Sequence, residues 1–213
     1  MRLVYPEKDN NVDLRDIRIC KKKGGTIEET SIVDGLVFSD LRPRRKAGGP
    51  TRMPNAKIAV IQFQLSSPKT DIENTVTVKS HSDIDRILRE EKKYIAKMII
   101  KIYKSGANVV LIQKSILRDA VNQLSLHFLA KKKIMVVTDV EREDVPFICR
   151  TLGCKPVAHI DGLTPDKLGH AELVHYESQS DGGKVFKITG VKHQAKTVSI
   201  LIRGSNNLVT LIL

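Results

Sequence analysis

The chain has 213 residues, 41% hydrophobic and 28% charged, with a formal net charge of +12 at pH 7. This length and apolar content suffice for one sizeable core. No apolar run reaches the about 18 residues of a membrane span, and the first residues lack the apolar block of a secretory signal, so we expect a cytoplasmic protein. The three cysteines, Cys20, Cys149 and Cys154, form no even disulfide framework and lack the CxxC spacing of a zinc site.

The positive charge is concentrated in three short segments, at residues 21–23, 42–46 and 131–133. A sequence pI near 9.7 is compatible with nucleic-acid binding. However, only 4% of the residues are aromatic and none is Trp, which leaves few surfaces on which bases could stack. Solvated charge on loops and helix ends is the favoured interpretation, and a basic nucleic-acid-binding domain is kept as an alternative.

Strands and helices are predicted to alternate from residue 57 onward. Apolar residues recur every three to four positions in the helices and form nearly continuous runs in the strands. The predicted elements are a strand at 57–65, a helix at 84–102 with a capping signal at Ser82, a strand at 107–113, a helix at 115–131, a strand at 134–138, a helix at 145–152 and a strand at 157–160. This order predicts an α/β fold with a parallel sheet covered by helices.

Segments outside this alternation predict antiparallel additions. Residues 171–177 and 184–189 flank a Gly-Gly turn and predict a hairpin. Residues 12–19 and 197–203 are both strand-like, and we expect them to pair although they lie at opposite ends of the chain. The final residues stop on an apolar run, which is typical of a segment taken from a longer polypeptide.

No motif predicts catalysis or a bound cofactor. The chain lacks GxxxxGK[ST] and the glycines of a dinucleotide site, and its six histidines form no HxH or HExxH pair. Asp119 with His127, and Asp139 with His159, are conceivable acid–base pairs, but no nucleophile at a sharp turn joins them. An enzyme with an unrecognised site is a further alternative, and it predicts a deep pocket near Gln113 and Thr138.

The predicted helix at 115–131 has more apolar residues than one buried face can use. At about 100° per residue, one arc should pack on the sheet, namely Leu117, Ala120, Val121, Leu124 and Phe128. Leu126 and Leu129 fall outside this arc, near Asn122 and Ser125, with Arg118 at its edge. We expect these two leucines to be exposed and to accept apolar segments of other proteins, unless a neighbouring loop covers them.

Several long segments carry a family resemblance. Residues 106–114, 126–131 and 134–137 resemble the apical domain of a group II chaperonin. Further segments resemble the delta-subunit family of the eukaryotic cytosolic chaperonin, namely 12–17, 24–27, 66–71, 88–91, 111–120 and 155–161. The resemblance covers about residues 12 to 207 without a break.

The resemblance implies an apical-domain-like α/β fold with parallel β-α-β layers, a helical protrusion and a β-hairpin addition. The implied divisions are an N-terminal extension at 1–11, an intermediate-domain segment at 12–33, the apical domain at 34–190 with its protrusion at about 65–91, and a returning intermediate-domain segment at 191–213.

It also implies that this chain binds unfolded client proteins, such as actin and tubulin, for a chaperonin driven by ATP. The client groove would be formed by the helix at 115–131 and the loop at 39–54, with contacts from Arg118, Asn122, Ser125, Leu126, Leu129, Arg42, Arg44, Arg45, Lys46 and Arg52. Basic residues in that loop predict an acidic or amphipathic client segment. ATP and magnesium would be held elsewhere in the parent protein, so no cofactor and no enzymatic activity are expected here. Implied partners are other subunits of a double ring and prefoldin.

Overall fold

The computed structural model describes residues 14–67, 80–116, 119–178, 183–191 and 197–206. The strands are β1 (Ile17–Lys23), β2 (Ser31–Val33), β3 (Gly35–Phe38), β4 (Arg42–Pro43), β5 (Arg52–Ile61), β6 (Val109–Gln113), β7 (Met135–Val140), β8 (Gly169–Ser178), β9 (Lys184–Val191) and β10 (Val198–Gly204). The helices are α1 (His81–Lys104), α2 (Gln123–Lys131) and α3 (Asp144–Leu152). None of the helices in these ranges is long and apolar enough to cross a membrane.

Seven strands form a mixed sheet in the order β3-β9-β8-β5-β6-β7-β4. Only the centre is parallel, where β6 pairs with β5 and β7. The helix α1 connects β5 to β6, and α2 connects β6 to β7. The predicted α/β class is therefore confirmed, and so is the hairpin, which consists of β8 and β9. The antiparallel strands form a larger part of the sheet than the sequence pattern indicated.

The predicted strand at 157–160 is wrong. Val157 forms a single parallel bridge to Ile61, and a 3-10 turn begins at Ile160. The His159 side chain accepts a hydrogen bond from the backbone N–H of Asp161, which stabilises this turn. Local side-chain bonding of this kind competes with strand pairing.

The large sheet has an apolar core on each face. Successive residues of a strand point to opposite faces. On β5, Ile58 and Val60 therefore belong to the core beneath α3, while Ala59 and Ile61 belong to the core beneath α1 and α2. The nearly continuous apolar character of β5, β6 and β7 follows from this burial on both sides.

The helix α1 is buried only in its second half. Its N-terminus is capped by Ser80, which accepts a hydrogen bond from the Ser82 N–H, so the cap lies two positions before the predicted one. All residues from His81 to Glu90 are exposed, and the first fully buried side chain is Ile95. The start of α1 therefore projects from the body of the molecule. The rest of the predicted protrusion, at 68–79, lies outside the described residues.

The two ends of the described chain form a separate three-stranded sheet. β1 runs parallel to β10, and β2 runs antiparallel to β10 on its other side, which confirms the predicted pairing of the chain ends. Ile19, Ile200 and Ile32 are direct neighbours across the three strands. Ile19 is 52% exposed and Ile32 is 61% exposed, so the outer face of this sheet is apolar.

The helix α3 joins this small sheet to the large one. The two terminal guanidinium nitrogens of Arg18, Nη1 and Nη2, donate to the Asp144 carboxylate. At the other end of α3, Arg150 Nη1 donates to Asp16 Oδ1 over 2.6 Å. The hydroxyls of Thr151 and Thr197 are 2.7 Å apart and share a hydrogen bond. The contact between the two sheets therefore includes specific hydrogen bonds and ion pairs between polar side chains.

Candidate functional site

The helix α2 is shorter than predicted. It begins at Gln123, after Asn122 as the extended N-cap residue. Before it, Val121 forms a parallel bridge to Leu65, and the Leu65 N–H donates to the Ala120 carbonyl over 2.9 Å. The described residues between 115 and 122 therefore lie outside the helix. Arg118, a predicted contact residue, lies outside the described residues, as does Leu117.

The predicted exposure of Leu126 and Leu129 is wrong. Leu126 is 9% exposed, while Leu129 and Ser125 are fully buried. Leu126 and Leu129 belong to the core on the side of the sheet where α2 packs against α1 and β7. The prediction treats Ala120 and Val121 as part of the same helical face as Leu124 and Phe128, but the helix starts only at Gln123. Without these upstream residues, the buried face of α2 is defined by Ser125, Leu126 and Leu129.

The outward face of α2 carries Leu124, His127, Phe128 and Lys131, at the i, i+3, i+4 and i+7 spacing of one helical face. Leu124 and Phe128 are half-buried, and His127 and Lys131 are exposed. The rings of His127 and Phe128 lie 6.0 Å apart. The apolar strip of this helix therefore consists of Leu124 and Phe128, which pack against the core on this side of the sheet, as predicted, but remain partly exposed.

The basic loop predicted at 39–54 is attached to β7, and it is shorter than predicted because residues 52–54 belong to β5. Its short strand β4 pairs with β7, and the Arg44 N–H donates to the Val136 carbonyl over 2.8 Å. The Arg44 side chain donates to Thr138 Oγ1 over 2.7 Å and to Asp139 Oδ2 over 2.9 Å. Part of the positive charge of the loop is thus neutralised by β7. The other predicted basic contacts, Arg42, Arg45, Lys46 and Arg52, are exposed.

A cavity of about 240 Å³ separates this loop from the start of α2. Arg44 and Lys46 line it from the loop, and Ala120, Val121 and Gln123 line it from the helix side. The carboxylates of Asp119 and Asp139 also line it, so its charge is mixed rather than basic. Leu124, the first residue of the apolar strip, directly follows the lining residue Gln123 in α2, so the cavity and the strip are treated together as one groove. We call it the α2 groove.

The predicted site residues are only partly brought together here. Arg44, Lys46 and Leu126 line the cavity, with Leu126 at its floor. Ser125 and Leu129 lie beneath it in the core. Arg42, Arg45, Arg52 and Asn122 are absent from its described lining. The partial exposure of Leu124 and Phe128 was not predicted, although the N-cap preference of Asn122 is a signal for the later start of α2.

The conceivable acid–base pairs have other partners. Asp139 bonds to Arg44 and Thr138, while His159 lies 3.4 Å from the Asp161 carboxylate. Lys101 donates to Asp161, and this bond lowers the pKa of that carboxyl. The cavity does lie near Thr138, as an enzymatic site would, but it is smaller than the about 300 Å³ of ordinary small-molecule sites. Within the described ranges, no group of three or more His, Cys, Asp or Glu side chains could hold a metal ion.

A second crevice, of about 590 Å³, lies between β1 and the residues that precede α3. Acidic residues line much of it, namely Asp40, Asp139, Glu141, Glu143 and Asp144. Arg18 and Lys21 face them from β1. This crevice follows the joint between the two sheets, and its acidic residues come from segments far apart in sequence.

Comparison with known proteins identifies the family of this chain. Residues 1–210 match the model of the TCP-1/cpn60 chaperonin family. The chain belongs to this chaperonin family. The match includes residues 1–11, which were placed outside the resemblance on sequence grounds.

The chaperonin relatives include T-complex protein 1 subunit delta from several organisms. The Arabidopsis thaliana protein is 57% identical over 98% of this chain and 39% of its own length. The Homo sapiens protein is 53% identical over 98% of this chain and 38% of its own length. The resemblance to delta subunits is thereby confirmed. The chain spans about two fifths of the length of these relatives.

A solved chaperonin structure has the same fold. The open-state monomer of a group II chaperonin from Methanococcoides burtonii superposes with a TM-score of 0.69 and 25% sequence identity. The superposition covers 96% of this chain and 43% of that chain. Both sheets of the present structure therefore belong to a group II chaperonin fold.

Proposed function

We propose that this chain is the client-binding part of a delta-type chaperonin subunit and that the α2 groove holds non-native segments of other proteins. The observation that carries the proposal is the half-buried pair of Leu124 and Phe128 on α2, the helix whose residues Gln123 and Leu126 line a polar cavity together with Arg44 and Lys46. An amphipathic client segment matches the apolar and the polar side chains of such a groove.

The groove is suited to weak, reversible binding. Full burial of one Leu or Phe side chain contributes about 1.5–3 kcal/mol, and Leu124 and Phe128 are already half-buried. Each would therefore add only part of that amount when a client covers it. The cavity carries both positive and negative side chains, so its charges would orient a client segment rather than strongly attract segments of one charge sign. This also weighs against the nucleic-acid alternative, because Asp119 and Asp139 would repel a phosphate backbone.

In the parent protein, we propose that the large sheet and its helices form the apical domain and that the small sheet belongs to the intermediate domain. The exposed half of α1 would belong to the helical protrusion. The parent would bind ATP and magnesium in polypeptide outside this chain, assemble with other subunits in a double ring and work in the cytoplasm. Actin and tubulin are the proposed clients, and prefoldin is a proposed partner.

The test is a titration of the complete 213-residue chain with fluorescently labelled, denatured actin, repeated with tubulin. Substituting Leu124→Ser and Phe128→Ser should each weaken binding about fivefold, which corresponds to about 1 kcal/mol of lost apolar contact. His127→Glu, at an exposed position between them, should weaken binding without affecting stability.

The matched control is Ile100→Ser, which removes an apolar side chain that is 47% exposed on α1. It should bind clients as the wild type does. Unfolding curves for every variant separate loss of fold from loss of contact. If His127→Glu and Phe128→Ser both bind like the wild type, or if Ile100→Ser weakens binding equally, the α2 groove is not the client site.

A further inference from the structure

The end of α3 brings two cysteines together. Gly153 follows the helix in the left-handed conformation, with φ 65° and ψ 25°. The Cys154 N–H then donates to the Cys149 carbonyl over 3.2 Å. In this kind of helix end, the side chains at these two positions usually form an apolar contact. Here both side chains are thiols.

The two thiols lie at the edge of the core beneath α3. Cys154 is 7% exposed and belongs to that core, and Cys149 packs against it while remaining half-buried. Both are free thiols. The third cysteine, Cys20, is buried in a different apolar cluster beside β10. Cys149 and Cys154 can therefore form a disulfide with each other, and Cys20 lies in a separate apolar cluster.

We propose that Cys149 and Cys154 form a reversible oxidation site, in which a peroxide converts the two thiols into a disulfide across the end of α3. In the first step, the Cys149 sulfur attacks hydrogen peroxide, which gives a sulfenic acid and one water. In the second step, the Cys154 sulfur attacks the sulfenic sulfur and releases the second water. The two sulfurs together lose two electrons, and the peroxide gains them. A small thiol such as glutathione reverses the reaction by disulfide exchange.

The environment of the two thiols supports this order of attack. A hydrogen bond from Cys154 lowers the pKa of Cys149, because it stabilises the thiolate. The same bond, together with burial, raises the pKa of Cys154. Cys149 is also the more exposed of the two, so a dissolved peroxide reaches it first. Cys154 then acts as the resolving thiol from the buried side.

The location of the pair gives the reaction a structural consequence. Arg150 and Thr151 lie directly after Cys149, and they form the contacts of α3 to Asp16 and Thr197. A disulfide that closes the end of α3 would hold these two side chains in place. Oxidation would therefore stiffen the joint between the small and the large sheet.

The experiment treats the complete chain with hydrogen peroxide and counts free thiols. The count should fall from three to one, with the mass loss of two hydrogens and a peptide linking residues 149 and 154. Glutathione should restore all three thiols. The Cys20→Ser variant should still lose two thiols, and the Cys149→Ser and Cys154→Ser variants should form no intramolecular disulfide.

Two comparisons of the rate of disulfide formation test whether the folded structure holds the two thiols close together. Unfolding in urea should slow disulfide formation by at least fivefold, because the left-handed turn no longer holds the thiols together. Gly153→Ala, which disfavours that turn, should slow it in the folded chain. The proposal is overturned if all three thiols survive, if Cys20 enters the disulfide, or if the unfolded chain reacts as fast as the folded one.

Discussion

The hydroxyl of Ser125 donates a hydrogen bond to the backbone carbonyl of Leu65, and both residues are fully buried. This bond attaches the first turn of α2 to the segment that follows β5. It explains why α2 presents Ser125 inward and Leu124 outward. The bond therefore contributes to the orientation of α2 on the core.

Replacement of Ser125 by alanine should lower the free energy of unfolding by about 1–2 kcal/mol. The buried carbonyl of Leu65 loses its partner, which costs about 1–3 kcal/mol, and the better helix propensity of alanine offsets roughly 0.5 kcal/mol. Urea unfolding measures the change. Ser82→Ala, at an exposed position on α1, is the control and should change stability by less than about 0.5 kcal/mol. Equal effects of both variants would contradict the role of this bond.

The two faces of α2 should respond differently to truncation. Leu129 is fully buried, so Leu129→Ala should cost about 2–5 kcal/mol of stability. Leu124 is half-buried, so Leu124→Ala should cost clearly less and should act mainly on client binding. Chemical denaturation and client titration, performed on both variants, separate these effects. If Leu129→Ala kept full stability and lost only client binding, the inward position of Leu129 would be wrong.

The joint at α3 depends on a buried carboxylate. The Asp16 side chain is 4% exposed and accepts a hydrogen bond from Arg150, whose side chain is 50% exposed. Arg150→Ala should therefore lower the free energy of unfolding by about 1–2 kcal/mol. This is near the lower end of the range for hydrogen bonds to charged groups, because water screens the charge of the half-exposed arginine. Arg86→Ala removes a pair exposed on both sides and should cost no more than about 0.5 kcal/mol. Thermal unfolding of both variants, at low and high salt, tests the difference.

Stability should fall as the pH falls below about 6.5. Burial lowers the pKa of His175 from its ordinary value of 6.5, and the nearby Glu177 opposes this only in part. Below that pH, the unfolded chain binds a proton that the folded chain does not, so the free energy of unfolding decreases. His175→Gln should flatten the dependence between pH 7 and 5, as measured by urea unfolding.

A second side chain serves as a reference for this pH dependence. The hydrogen bond from Lys187 lowers the pKa of Glu177, so the stability that it contributes is lost only as the pH falls below 4.5. An unchanged slope in His175→Gln would show that another group is responsible.

Much of the fold was predictable because it rests on local patterns. The apolar runs of β5, β6 and β7 and the helical spacing in α1 and α3 predict these elements, and the predicted end of α3 at residue 152 is confirmed. The pairing of β1 with β10 was also expected, although these strands lie at opposite ends of the described chain. Each of these strands and helices is decided by residues that are close together in sequence, whereas the pairing of β1 with β10 joins distant segments.

The site was predicted less well, because its orientation rests on distant contacts. The sequence by itself determined the family, the α/β class, and a helix with more apolar residues than its buried face needs. Only the tertiary structure decided which leucines of α2 are inside. The bridge from Val121 to Leu65 delays the helix until Gln123, and the phase of its apolar residues then follows from packing against α1 and β7. An amphipathic pattern specifies how its faces are spaced, but the neighbours in space determine which face becomes core.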